Sequence, residues 1–117
     1  MNFDTTIERR GDDVVLHVAG EFDLYSAPEF KAELAAVIAT GACTVVVDLT
    51  ETTFLDSTAL GALVGGLKRL RADGGELSLV CSDRSILRVF EITGLDRVFT
   101  IQRTPTATLP LFTVSAS

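Results

Sequence analysis

The chain predicts a single α/β domain built on a mixed, mostly parallel β-sheet covered by helices, with elements in the order ββαβαβαβ. Two observations carry this. Short strand-like apolar runs alternate with segments of helical periodicity along most of the 117 residues, and strands separated by helices must run parallel through right-handed crossovers. The run Thr44-Val45-Val46-Val47-Asp48-Leu49 is also apolar without alternation, as expected of a central strand buried on both faces.

Phe3, Thr5 and Ile7 alternate with polar neighbours, and the turn Arg10-Gly11-Asp12-Asp13 leads into Val14-Val15-Leu16-His17-Val18-Ala19. This pattern predicts a β-hairpin, which sets the first strand antiparallel to the rest. Ser26-Ala27-Pro28-Glu29 has the form of a capping box with proline tolerated in the first turn. Phe30, Leu34, Val37 and Ile38 then recur at helical spacing until Gly41. After the central run, 50–58 is expected to be a loop. A second helix follows, with Leu60, Leu63, Val64, Leu67 and Leu70 on one stripe and Lys68, Arg69 and Arg71 near its C-terminal end, where the macrodipole favours cations. Beyond Gly74-Gly75 come a strand over 77–81, a short helix from near Asp83 to Gly94, and a last strand over 98–101. The domain is placed at 1–102. Residues 103–117, with Pro105 and Pro110 and many Thr and Ser, lack a period and are expected to form a loosely held tail.

The formal net charge of −6 disfavours phosphate backbones and anionic lipid surfaces, so neither nucleic acid nor membrane is expected as a partner. Residues 1–58 hold 11 acidic and 3 basic side chains, net −8, whereas 59–117 hold 5 and 7, net +2. This is either a solvated acidic surface or a face suited to a basic partner. Cys43 and Cys81 lack the close spacing of a metal or redox pair and are expected to be buried free thiols. No stretch of signal or membrane-spanning length is found, so a cytoplasmic location is expected.

In a sheet of this kind functional groups gather beyond the carboxyl ends of parallel strands. The segments 21–26 and 50–58 leave such ends, so Asp23, Ser26, Asp56, Ser57 and Thr58 should meet at one rim. Asp56-Ser57 before a helix is first of all a capping pattern. However, Phe54-Leu55 would bring an apolar pair to the same rim. Gly61, Gly65 and Gly66 also lie within the helix, each costing about 1 kcal/mol relative to alanine, so something approaches that helix closely. The protein's own sheet is the simpler candidate, above all for Gly65 and Gly66.

These residues carry a family resemblance. Asp48-Leu49-Thr50, Phe54-Leu55-Asp56-Ser57-Thr58 and Leu60-Gly61 are similar to the signature of the STAS domain, in particular the anti-sigma factor antagonists. The resemblance runs from Gly20-Glu21-Phe22-Asp23 through Gly65-Gly66-Leu67-Lys68-Arg69 to Ile92-Thr93-Gly94-Leu95, and its later blocks look most like actinobacterial members. It implies the STAS fold and a partner switch. In such a switch the unmodified protein binds an anti-sigma factor, often itself a serine kinase, and thereby releases a sigma factor. Phosphorylation at the position matching Ser57 abolishes binding, and a serine/threonine phosphatase of the metal-dependent class reverses it. The partner surface so implied comprises Asp23, Ser26, Phe54, Asp56, Ser57, Thr58 and Leu60, on a monomer or weak dimer without a cofactor. Thr58 is the alternative acceptor. Ala59 departs from the family's usual glycine, and its methyl group either is absorbed by a small shift or changes how closely a partner packs. The tail also lacks the charged final helix common in relatives.

Three other readings fit less well. A serine hydrolase is disfavoured because Leu55-Asp56-Ser57-Thr58-Ala59 lacks both glycines of the nucleophile elbow and the single histidine, His17, falls within a strand. The helix glycines lack P-loop spacing. Asp23, Asp48 and Asp56 resemble a Mg²⁺-binding acidic pocket only if Asp48 reaches the rim, and its place near a strand end is the simpler role. Within the same fold, the alternative is an interaction module of a stress-signalling scaffold or a transporter complex.

Overall fold

A computed structural model of the chain describes residues 2–103. Strands β1 (Phe3–Arg10), β2 (Asp13–Phe22), β3 (Thr44–Leu55), β4 (Glu76–Val80) and β5 (Thr100–Gln102) lie in the order β1-β2-β3-β4-β5. The β1–β2 pair is antiparallel and the other three are parallel. Helices α1 (Ala27–Ala39), α2 (Ser57–Ala72) and α3 (Arg84–Thr93) make the crossovers, and a 3-10 turn at Leu95–Arg97 precedes β5. The expected ββαβαβαβ order is therefore observed.

The two-residue period of the strands sorts the core. Val14, Leu16 and Val18 of β2, Val45, Val47 and Leu49 of β3, and Leu77 and Leu79 of β4 join the buried faces of all three helices in one cluster. Val15, Val46 and Val80 point the other way and form a second, smaller cluster. Residues 45–49 are all buried, which accounts for the missing alternation. On the face of the smaller cluster, His17 Nδ1 lies 2.7 Å from Asp48 Oδ2 and His17 Nε2 lies 3.0 Å from Glu8 Oε1. The Thr50 hydroxyl also donates to Asp48. Hydrogen bonds from His17 and then Arg10 hold the Glu8 carboxyl below its ordinary range.

Several boundaries differ from the sequence-based expectation. β3 continues through Leu55 instead of stopping at Leu49, because residues within 51–55 pair with 19–22 of β2 across two register shifts, one before Ala19 and one between Gly20 and Glu21. Gly20 sits at one of those shifts with φ +94°, and a side chain there would strike the backbone of Asn2. The last strand begins at Thr100, because Leu95–Arg97 form the 3-10 turn and Phe99 is drawn into the core against Phe90. Cys43 is exposed, contrary to expectation, whereas Cys81 is buried, and burial pushes its thiol up to about 11. Gly94 ends α3 in the left-handed region, as the sequence suggests. The tail expected over 103–117 lies outside the described residues from 104 onward.

The helix glycines divide in a way the sequence does not reveal. A methyl group at Gly66 would collide with Leu34 of α1 and press on Leu77 of β4, so this glycine lets α1 and α2 meet over the sheet. Nothing lies near the equivalent position of Gly61 or Gly65, which corrects the packing role expected for Gly65. Gly65→Ala should therefore raise stability by about 1 kcal/mol in urea denaturation, since helix propensity improves and nothing is displaced.

Candidate interaction surface at the β2–α1 and β3–α2 rim

The ends of β2 and β3 lie side by side, with Glu21 opposite Phe54 and Phe22 opposite Leu55. The loop leaving β2 is a compact turn. Asp23 Oδ1 accepts from the backbone N–H of Tyr25 at 2.9 Å and of Ser26 at 3.1 Å. The Ser26 hydroxyl donates to the Glu21 carbonyl at 2.8 Å and accepts from the Asp23 N–H at 2.8 Å. This use of the hydroxyl corrects the capping-box reading: Ser26 stands at the N-cap position of α1 but makes no side-chain cap, because its oxygen is committed to the loop before it.

Asp56 joins the two loops. Its Oδ1 accepts from the Ala59 N–H at 2.9 Å and caps α2, while its Oδ2 accepts from the Leu24 N–H at 2.9 Å. The Asp56 N–H in turn donates to the Phe22 carbonyl at 3.3 Å. Both carboxylate oxygens thus serve structure, so the capping role and the rim position belong to one residue.

Ser57 is the first residue of α2 and is exposed, and its hydroxyl has no hydrogen-bond partner among the described residues. Thr58 is half-buried. A phosphate on Ser57 would meet the free N–H groups and positive dipole end of the first turn, which tolerate an anion locally. The two segments that meet here also carry three exposed apolar side chains, Leu24 (57% exposed) and Tyr25 (78%) in the turn after β2 and Phe54 (50%) near the end of β3.

Asp23 and Ser26 lie in the turn after β2 and Asp56, Ser57 and Thr58 at the β3–α2 junction, and the Asp56–Leu24 bond joins the two as expected. Ser57 and Thr58, however, belong to α2 and not to a loop, and the five do not all face outward. Ser26 and Leu60 are buried, which corrects their assignment as partner contacts: Ser26 ties the loop to β2, and Leu60 joins the core. Leu55 turns inward too, so the expected apolar pair reduces to Phe54. Ala59 is fully buried in the core cluster, so its methyl group is absorbed by the fold and faces no partner. Asp48 lies within β3 against His17 and does not join Asp23 and Asp56. Among the described residues no group of three or more His, Cys, Asp or Glu is placed to hold a metal ion. Leu24 and Tyr25 were not singled out from the sequence. Their signal is an apolar pair set between two turn-forming residues, outside any helical or strand period.

With this geometry in place, known proteins supply the decisive comparison: the sequence profile of the STAS domain matches residues 4–107. The chain belongs to the STAS domain family. This STAS domain is 34% identical to the anti-sigma-B factor antagonist of Bacillus subtilis over 86% of its own length and 92% of the relative's. It is 40% identical to the Listeria monocytogenes anti-sigma-B factor antagonist over 81% and 83% of the two chains. A crystal structure of an anti-sigma factor antagonist from Mycobacterium paratuberculosis superposes with a TM-score of 0.84 at 28% identity, covering 93% of this chain and 92% of the other. Among the STAS domains it therefore groups with the anti-sigma factor antagonists, which are regulatory proteins. No described helix is long and apolar enough to cross a membrane.

Proposed function

We propose that this STAS domain is an anti-sigma factor antagonist of the cytoplasm that acts by binding and not by catalysis. Unphosphorylated, it engages an anti-sigma factor with serine kinase activity and so releases a sigma factor. Phosphorylation of Ser57 ends the engagement, and a metal-dependent serine/threonine phosphatase restores it. The observation that carries this reading is the exposed, unbonded hydroxyl of Ser57 on a firmly capped helix end, at a rim that also exposes Leu24, Tyr25 and Phe54. A binding role is further supported by His17, whose two ring nitrogens are engaged by Asp48 and Glu8 within the sheet.

Asp23, Phe54, Asp56, Ser57 and Thr58, joined by Leu24 and Tyr25, form the proposed contact surface. Its apolar members supply buried area, and its carboxylates make it selective for a basic partner. Incubation with the anti-sigma factor kinase and ATP, followed by phosphopeptide mass spectrometry, should place the phosphate on Ser57. Modification of Thr58 alone, or of neither residue, would refute the assignment.

A further inference from the structure

One turn beyond Ser57 on the same face of α2, α1 and α2 enclose a groove of about 290 Å³ whose walls include Lys31, Ala35, Ile38, Gly61, Gly65 and Arg69. We propose that this groove is a second docking site, taking an acidic amphipathic helix from a partner other than the one recognised by the rim. Three observations converge on that occupant. Gly61 and Gly65 are four residues apart on α2, both are exposed, and the fold makes no use of their missing side chains. Bare backbone at this spacing opens one helix face to close approach. The groove follows α1 from Lys31 to Ile38, about 10 Å or two helical turns, which matches the footprint of another helix.

Helical surfaces also offer almost no free backbone groups, so an extended peptide laid there would lose its own hydrogen bonds to water, whereas a helix satisfies them internally. Charge then selects among helices. Among the described residues, Lys31 and Arg69 are the only charged ones lining the groove, and neither has a carboxylate partner there. On a protein of net charge −6 this is a local reversal of sign. A twofold pairing of the groove with itself would set these cations against one another, so the occupant is a different chain. Rim and groove would thus favour partners of opposite charge.

The test is an NMR titration of the isotopically labelled full chain. The probe is a blocked synthetic helix of about four turns with leucine on one face and two glutamates seven positions apart. Its control twin carries lysines in place of the glutamates. Amide shifts confined to Lys31–Ile38 and Gly61–Arg69 are expected with the acidic peptide. The Lys31→Glu/Arg69→Glu pair should weaken its binding by about tenfold, and Gly65→Leu, which adds bulk at a position where a Cβ meets nothing, should abolish it. Thermal melts report whether Gly65→Leu is folded, and the charge-reversal pair provides a separate readout. Absence of shifts, equal binding of the basic twin, shifts centred on Leu24 and Phe54, or the same shifts produced by raising the protein concentration alone would each overturn the proposal.

Discussion

The Ser57-phosphorylated protein is expected to bind its anti-sigma factor about a thousandfold more weakly than Ser57→Ala, with both forms equally folded. The added phosphate carries roughly −1.5 to −2 charges at neutral pH. It would sit next to Asp56, whose carboxylate is bonded to the turn that carries Asp23, on a rim that also exposes Leu24, Tyr25 and Phe54. Docking would have to remove that charge from water next to carboxylates, a penalty of several kcal/mol, and about 4 kcal/mol corresponds to the thousandfold loss. Ser57→Glu adds about half the charge and should lose about 2 kcal/mol, or roughly thirtyfold. The fold is expected to stay intact because the modified hydroxyl is exposed and free of hydrogen bonds, and Asp56 continues to cap α2. Isothermal titration against the purified anti-sigma factor, with circular dichroism of each form, measures both halves. Equal affinities for phosphorylated protein and Ser57→Ala would refute the switch.

Phe30→Ala should produce the largest loss of stability, about 3–5 kcal/mol in urea denaturation. Phe30 is fully buried on α1 and meets the ring of Phe22, at the end of β2, with centroids 4.7 Å apart. Phe22 in turn packs on Phe3 at 5.8 Å. These rings hold the beginning of α1 against the end of β2, and the turn carrying Leu24 and Tyr25 is strung between them. The substitution therefore removes core area and loosens the loop that must stay beside Asp56. Weaker anti-sigma factor binding by the fraction that remains folded at low temperature is expected as well. A loss below about 1 kcal/mol would show that the site collapses around the vacancy and that the ring contact matters little.

The order of elements, the helical stripe from Leu60 to Leu70, the start of α3 at Asp83 and its end at Gly94 are all legible in the sequence. Each depends on local chemistry: side-chain periodicity, a capping carboxylate, or a residue suited to positive φ. The meeting of the 21–26 and 50–58 segments is legible for a related reason, since parallel strands joined by right-handed crossovers expose their carboxyl ends at one edge.

Tertiary structure decided which chemistry those residues are free to perform. Ser26 and Asp56 look like equivalent caps in the sequence, but the Ser26 hydroxyl is taken by Glu21 and Asp23, whereas Asp56 divides its oxygens between Ala59 and Leu24. Pairing with β2 drew 51–55 into a strand, turning Leu55 inward and Phe54 outward. Gly66 and Gly65 are adjacent and identical in type, and the positions of Leu34 and Leu77 separate a packing contact from open space. Exposure and hydrogen-bond allegiance depend on residues distant in the chain, so no local pattern encodes them, whereas the backbone conformations that local chemistry selects were present in the sequence from the start.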